Sequence, residues 1–290
     1  MRFSHISLGA LALAVATPAL ADPVPAAPAP VAPTIADPVV PTDDAAVAPA
    51  ADDGATAPPK AITISGGVTL VSDYRFRGIS QTNLQPAIQG SITLTHASGF
   101  YASVWSSSTS GYVTLSGTGS QEIDAIVGYK KTIGGVTLDG GLLYYIYPRS
   151  RFIGDKSKAD FFEPYADIAY TFGPITAKVT VNYAPKQKAL ALDQGQTGLF
   201  KENDNVYLAG DLSASIPKTP IGLTAHLGHT WGPSWLSLGN EYTDWGAGAT
   251  VTWKNLVLGV SYVDTDGVFT LANGKNAARS GVVVSLGVSF

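Results

Sequence analysis

The sequence predicts an all-β fold: a transmembrane antiparallel β-barrel of about 12 strands, preceded by a disordered Ala/Pro-rich linker. Three observations support it. Apolar residues alternate with polar or small ones from residue 61 to residue 290, the alternating segments are about 10–14 residues long, and only 14% of the 290 residues are charged. Soluble strands average about 5–6 residues and soluble domains about 25% charge. A tilted strand that crosses a bilayer needs about 9–11 residues.

Residues 1–21 have the pattern of a secretory signal peptide. Arg2 precedes an apolar stretch at 6–15 that is too short to span a bilayer, and Ala19 and Ala21 form an A-x-A cleavage site. The pattern predicts export, with a mature chain that starts at Asp22. A buried N-terminal helix is the alternative interpretation.

Residues 22–60 form the predicted periplasmic linker. The segment contains ten Pro, six Asp and no aromatic residue, a composition that favours an extended, solvated chain over a packed one. It serves either as a spacer or as a tether to another part of the cell envelope. Its Asp residues account for the net charge of −4, because residues 61–290 carry 16 basic and 16 acidic residues. Without a basic excess, no nucleic-acid partner is predicted.

The barrel strands follow from a period of two along residues 61–290. At the end of the chain, for example, Val284, Leu286 and Val288 alternate with Ser285 and Gly287. Such alternation indicates strands with one apolar face. The twelve predicted strands cover residues 61–75, 85–96, 100–109, 120–132, 136–147, 162–172, 175–184, 204–216, 221–231, 242–253, 255–264 and 280–290.

The connections between these strands alternate strictly in length. The short ones fall at 97–99, 133–135, 173–174, 217–220 and 254–255, and the long ones at 76–84, 110–119, 149–161, 185–203, 232–241 and 265–279. Outer-membrane barrels have short periplasmic turns and long external loops. The alternation therefore predicts this sidedness, and the even strand count puts both termini in the periplasm.

Aromatic residues collect near the predicted strand ends. One group lies toward the short turns (Phe100, Tyr170, Phe172, Trp253 and Phe290) and another toward the long loops (Tyr144, Tyr183, Trp231, Trp245 and Tyr262). Amphipathic rings favour the two interfaces of a bilayer. We therefore expect two aromatic girdles, rather than rings packed in a soluble core.

The segment after the first strand resembles a known family. Residues 72–82 read SDYRFRGISQT and are followed by PAIQG at 86–90, with further similar fragments at 99–102 (GFYA), 122–124 (EID), 144–148 (YYIYP), 242–245 (YTDW) and 284–290. Together they resemble the TorF family of porins of proteobacterial outer membranes. The resemblance covers nearly all of 61–290, not the linker, and implies an outer-membrane porin without specifying its solute. Phe290 also resembles the terminal aromatic residue that bacterial barrels present to the barrel assembly machinery.

If the apolar faces contact outer-membrane lipid, the opposite faces line the lumen. The predicted pore-lining residues are Asp73, Arg75, Arg77, Glu122, Asp124, Lys130, Asp167, Lys178, Asp211 and Asp244. Charge is costly at a lipid face and tolerated in a wet lumen. Together with many small lumen residues, these charges favour passive diffusion of small hydrophilic solutes through a narrow aqueous path, with a weak preference for cations. Alternatively, the charges pair across the lumen and only maintain the shape of the barrel.

Two sets of basic residues have alternative roles. Arg75 and Arg77 either engage an anionic solute or constrict the mouth, or they pair with Asp73 or Asp244 as structural latches. The basic external loop, with Arg149, Arg151, Lys156 and Lys158, is expected to contact lipopolysaccharide or simply to be solvated.

Other functional classes find little support in the sequence. There is no Cys, no Gly-x-Ser-x-Gly motif, no paired-His zinc spacing and no Walker loop. The sequence therefore predicts a protein that is not an enzyme and that binds no metal and no cofactor. A surface hydrolase would depend on His226 with Asp211. An adhesive or structural barrel would act through 149–161 and 185–203. A monomer and a homo-oligomer are both compatible with the pattern.

Overall fold

The chain folds into a closed antiparallel barrel of twelve strands, which confirms the predicted fold class. The computed structural model describes residues 61–114, 119–150, 159–195, 197 and 199–290. The strands are β1 (Ile62–Val71), β2 (Arg75–Phe76), β3 (Ile79–Ser80), β4 (Ala87–His96), β5 (Phe100–Ser108), β6 (Gln121–Ile133), β7 (Val136–Ile146), β8 (Phe161–Phe172), β9 (Ile175–Ala184), β10 (Asn205–Ser215), β11 (Ile221–Trp231), β12 (Tyr242–Trp253), β13 (Leu256–Thr265) and β14 (Gly281–Ser289). β2 and β3 form a separate hairpin, and the other twelve form the barrel.

Each barrel strand pairs with the barrel strands that precede and follow it in the chain. The sheet closes where β1, which pairs with β4 on one side, pairs with β14 on the other. Closure removes free strand edges, so the backbone groups of every barrel strand have partners on both sides. Short connections lie at one end of the barrel, the turn end, and long connections at the other, the loop end.

The outer surface of the barrel is an apolar belt. On β13, for example, Leu258, Val260 and Tyr262 are exposed on the outside, while Gly259 and Val263 face inward and are buried. All ten aromatic residues expected in the girdles are exposed: Phe100, Tyr170, Phe172, Trp253, Phe290, Tyr144, Tyr183, Trp231, Trp245 and Tyr262. A surface of this kind matches the lipid-facing side of a membrane barrel.

Helix is confined to three short 3-10 turns in the long connections, Gly111–Val113, Lys188–Leu190 and Trp235–Ser237, among the residues described. Within the same residues, no helix is long and apolar enough to span a bilayer.

The first strand is shorter than predicted. β1 ends at Val71 rather than at residue 75, and most residues of 73–82 are buried inside the barrel. The local reason is the β2–β3 hairpin, whose turn residues Arg77 and Gly78 both have positive φ, at 46° and 79°. Two-residue hairpin turns of type I′ need this conformation at both positions. A straight continuation of β1 is therefore replaced by a reversal of the chain inside the barrel.

The largest hydrophobic cluster lies inside the barrel and includes residues of the long connections. It contains Tyr101, Ile126, Leu143, Tyr145, Phe161, Tyr165, Ala184, Ala189, Leu190 and Leu236. Two partly buried side chains from the connections, Phe76 and Tyr147, pack against this cluster. The interior is thus packed by apolar side chains of both the barrel strands and the long connections.

Candidate functional site

The ten residues predicted to line a pore all point to the interior, in two groups. Seven lie on barrel strands: Glu122, Asp124 and Lys130 on β6, Asp167 on β8, Lys178 on β9, Asp211 on β10 and Asp244 on β12. The other three, Asp73, Arg75 and Arg77, lie in the connection 72–86 and are buried inside the barrel. A role of these residues in solute passage stays a prediction.

Strand register brings seven ionisable residues into one band across β6–β12, which we name the charged stripe: Lys130, Asp139, Asp167, Lys178, Asp211, His226 and Asp244. Lys130 is opposite Asp139, which is opposite Asp167, and Lys178 is opposite Asp211, which is opposite His226. Lys130 Nζ lies 3.6 Å from Asp139 Oδ2, and Lys178 Nζ lies 3.4 Å from Asp211 Oδ2. The side chains of both lysines remain about a quarter exposed, so the stripe borders water.

His226 joins two carboxylates of the stripe. Its Nδ1 lies 2.7 Å from Asp211 Oδ1 and its Nε2 lies 2.9 Å from Asp244 Oδ1. The Tyr207 hydroxyl also contacts His226 Nε2 and Asp244. Since both ring nitrogens face acidic partners, neither is directed at a serine or threonine hydroxyl in the way that a general base must be. The geometry suits a cross-strand brace better than the hydrolytic site considered from sequence.

Small, uncharged residues line the wall that faces the stripe across the lumen. Gly248 and Ser261 are neighbours on β12 and β13, and Ser285 and Gly287 follow on β14. Further round the barrel, Gly67 on β1 continues this wall. The lumen is therefore asymmetric: the charged stripe lies on one side, and the small side chains lie on the other. In the described part of the chain, no group of three or more His, Cys, Asp or Glu residues is arranged to hold a metal ion.

Arg77 is a fully buried charged group of the interior. Its guanidinium donates to both oxygens of the Glu163 carboxylate, at 3.0 and 2.9 Å, and to Asn205 Oδ1 at 3.3 Å. It also stacks over the Tyr207 ring, 4.1 Å from the centroid. Both Arg77 and Glu163 have no exposed side-chain surface. Both bonds to Glu163 come from Nη2, while Nη1 donates to Asn205, and hydrogen bonds between charged groups are stronger than those between neutral ones.

The carboxylate of Glu163 is fixed by the barrel wall as well as by Arg77. Tyr145 on β7 donates its hydroxyl at 3.1 Å, and Asn182 on β9 donates its amide at 3.3 Å. Asn205, the second acceptor for Arg77, is held by its own amide, which donates to Thr230 and to the Trp231 carbonyl. The wall thus provides a preformed acceptor site for one guanidinium.

Arg75 and Asp73 act within the same connection. Arg75 Nε donates to Asp73 Oδ2 at 2.5 Å, while Ser80 and Thr82 donate their hydroxyls to Asp73 Oδ1 at 2.6 and 2.8 Å. Arg75 also donates to the carbonyls of Gly78 and Arg279. These bonds hold the hairpin together and attach it to the connection that precedes β14.

Tyr74 attaches the start of this connection to another part of the wall. Its hydroxyl donates to Glu122 Oε1 at 2.9 Å, and its ring packs against Trp105. Burial raises the pKa of the Tyr74 phenol well above its usual range, and the nearby carboxylates of Glu122 and Asp124 raise it further. The phenol therefore remains a neutral donor throughout the physiological range.

A small cavity of about 50 Å³ lies against the connection toward the loop end. Phe76, Ile79 and Gln81 form one side of it, and Trp235 and Phe269 lie on others. Its lining includes seven aromatic rings and no charged side chain.

The alternative roles of the two arginines depend on their partners, and those of the basic loop depend on its contacts. Arg75 has the expected partner Asp73, whereas Arg77 pairs with Glu163 rather than with Asp73 or Asp244. Residues 1–60 and most of the basic loop, including Arg151, Lys156 and Lys158, lie outside the described residues.

Sequence reasoning missed several residues that hold the inward connection. Tyr74, Asn205, Tyr207 and Tyr145 were not among the predicted site residues, although the last three lie on the lumen-facing parity of their strands. That parity was the available signal. The prediction applies that parity to charged and small residues, and not to tyrosines.

Comparisons with known proteins agree with the barrel. A family model described as "Bacterial protein of unknown function (Gcw_chp)" matches residues 54–290. The NanC porin structure is similar over 79% of this chain and 99% of that chain, with a TM-score of 0.50 and 13% identity. An outer membrane channel from Pseudomonas putida F1 is similar over 80% and 96%, with a TM-score of 0.42 and 14% identity. No curated protein sequence matches the chain. At such identities the likeness to NanC concerns the fold alone.

Proposed function

The chain belongs to the Gcw_chp family of bacterial proteins of unknown function, and we propose that it is an outer-membrane channel for passive diffusion of small hydrophilic solutes. The observation that carries the proposal is the contrast between the two faces of one closed sheet. The outer face is an apolar belt, while the inner face carries a charged stripe whose two lysines are about a quarter exposed. Partly hydrated charge inside a membrane barrel is typical of an aqueous lumen.

The stripe also supports a proposal about ion preference. It contains the four carboxylates of Asp139, Asp167, Asp211 and Asp244 against the two ammonium groups of Lys130 and Lys178, with His226 between two of the acids. Even with His226 charged, the acids are in excess. Rings of acidic side chains favour cations in a pore, so we expect a mild preference for cations.

A structural barrel without transport is the second candidate, because one observation favours it. Arg77 and Glu163 are fully buried inside the barrel, and packing of this kind stabilises a barrel whether or not solutes pass. The two candidates differ in a measurable way, since only a channel conducts.

The remaining expectations are part of the proposal. Export through a signal peptide at 1–21, a linker at 22–60, contact with lipopolysaccharide, assembly through Phe290 and oligomerisation are consistent with an outer-membrane barrel. Membership of the TorF family is supported by the SDYRFRGISQT motif, residues of which form the inward connection.

The proposal is tested by reconstituting the purified protein in planar bilayers. We expect discrete conductance steps and a reversal potential, under a salt gradient, that indicates cation preference. Asp167→Asn should reduce that preference and Lys178→Gln should increase it. Anion selectivity would contradict the assignment of the stripe. Absence of steps, both in the wild type and in a variant without the Arg77–Glu163 ion pair, would favour the structural barrel.

A further inference from the structure

We propose that residues 73–82, which we name the plug, form a removable closure of the lumen, and that the Arg77–Glu163 ion pair is the latch that holds it in place. The inference rests on the proposed channel function. It adds a closed state of the channel and the ion pair that controls this state.

The plug crosses the barrel from one wall almost to the opposite wall. It starts just after β1, and the tip residue Arg77 binds Glu163 on β8. Round the barrel, β8 is seven strands from β1 in one direction and five in the other. On the way, Tyr74 reaches β6 and Gly78 lies against Asp244 and Thr265 on β12 and β13. A segment with these attachments obstructs the cross-section rather than lining one side of it.

Side-chain exposure agrees with an obstructed lumen at this level. Arg77 and Ser80 have no exposed surface, and Tyr74, Ile79 and Thr82 are each 4% exposed. Most of the plug is therefore shielded from solvent, although Phe76 and Gln81 are partly exposed, as are the lysines of the stripe. Passage of a hydrophilic solute past these residues requires the plug to move.

The plug is not part of the barrel sheet. Its hairpin contains only the pairs Arg75↔Ser80 and Phe76↔Ile79, and neither strand pairs with a barrel strand. Its backbone bonds to other segments go to connections, from Ser80 to Ala277 and from Ser110 to Gln81. Displacement of the plug would therefore leave all twelve barrel ladders intact.

Side-chain contacts of Arg77 hold the tip of the plug to the opposite wall. Its guanidinium donates to Glu163 and Asn205 and lies over the ring of Tyr207, while its positive φ belongs to the hairpin turn. Arg75, by contrast, bonds within the plug and to the Arg279 carbonyl, so it maintains the hairpin itself.

The test removes both charges of the latch together, so that neither Arg77 nor Glu163 is left without its partner. The double variant Arg77→Met/Glu163→Gln removes both charges. A third substitution, Ser80→Cys, provides a label site in the plug, and the chain has no other cysteine. The same Ser80→Cys substitution in the wild-type background is the reference, and Ser98→Cys, in an exposed turn, is the positive control. The matched control Lys178→Met/Asp211→Asn, combined with Ser80→Cys, removes an ion pair that joins two strands.

The readouts are labelling by a hydrophilic thiol reagent in folded protein and conductance in planar bilayers. Local opening of the plug should make labelling of the thiol introduced by Ser80→Cys at least about tenfold faster in the latch variant than in the reference. Without Ser80→Cys, the latch variant should show mean conductance at least about twofold above wild type. The strand-to-strand control should leave the labelling rate unchanged.

Each other outcome has a definite meaning. Unchanged labelling in the latch variant would overturn the proposal, whatever the conductance. Faster labelling with unchanged, measurable conductance would show that the plug moves but does not close the pore, and would also overturn it. Faster labelling with no conductance in any variant would contradict the channel function instead.

Discussion

At the residue scale, three lumen tyrosines each lie over a glycine of the neighbouring strand. The pairs are Tyr101 with Gly128, Tyr165 with Gly141 and Tyr207 with Gly228. A Cβ atom at Gly128 would lie 2.5 Å from the Tyr101 ring, closer than any normal contact. The glycines thus make room for rings to lie against the wall, and the hydroxyls of these rings then reach Asp139 and His226.

We predict that Gly128→Ala destabilises the barrel because the new methyl group displaces the Tyr101 ring. Displacement would also break the 2.8 Å hydrogen bond from Tyr101 to Asp139. Overpacking of this kind costs about 1–3 kcal/mol, measured as the free energy of unfolding in urea. Gly210→Ala on β10 is the matched control, since a Cβ there meets nothing within 4 Å. Equal effects of the two substitutions would contradict the packing argument.

At the element scale, each barrel strand divides its residues between lipid and lumen with a period of two. In the middle of β9, Val179 is 49% exposed on the outer surface, whereas the neighbouring Thr180 faces inward opposite Asp167. Adjacent positions in one strand therefore have opposite surroundings, which allows a comparison at nearly equal depth.

We predict that Val179→Arg lowers the free energy of unfolding in lipid vesicles by about 2–4 kcal/mol, the usual cost of arginine near the middle of the lipid face. Thr180→Arg should cost far less, because its guanidinium would enter the polar lumen beside Asp167. The comparison requires both variants to be unfolded from the same vesicles. A larger loss for Thr180→Arg than for Val179→Arg would be inconsistent with the observed facing of β9.

The plug is the element that sequence patterns described least well. The predicted strand at 61–75 extended through Asp73 and Arg75, since their parity continued that of β1. Parity gave the correct inward direction for these side chains but not the path of the backbone. The reversal depends on Arg77 and Gly78, and an arginine at a left-handed position is not a usual turn signal.

At the scale of the whole molecule, the barrel closes through its shortest ladder. β1 pairs with β14 at five positions, Gly67 to Val71 with Ser285 to Ser289, compared with ten positions between β1 and β4. Two further backbone bonds join Gly66 and Phe290. Since this seam joins the two ends of the barrel, loss of its few bonds would open the sheet.

We predict that hydrogen exchange of the folded protein is fastest, among the barrel ladders, at the seam. Amides of β14 that bond to β1 should exchange at least about tenfold faster than those between β10 and β11, because local opening there breaks fewer contacts. The β10–β11 ladder, with ten paired positions, is the internal reference. Equal protection of the two ladders would contradict this account.

The sequence by itself determined the barrel, its strand count, the alternation of turns and loops, and which side chains face inward. These features are local: a period of two and a run of turn residues are properties of neighbouring positions, and lipid sorts side chains by polarity. Even the Lys130–Asp139 contact follows from one short turn, Gly134–Gly135, which sets the register of β6 and β7.

Only the tertiary structure decided which inward residues meet. Arg77 and Glu163 are 86 positions apart, and His226 lies between Asp211 and Asp244 because three strands are held in register. Composition and parity place all of these charges in one lumen, but they do not determine how far a connection enters it. That depth depends on the acceptors that the opposite wall presents. The wall exists only after the sheet has closed.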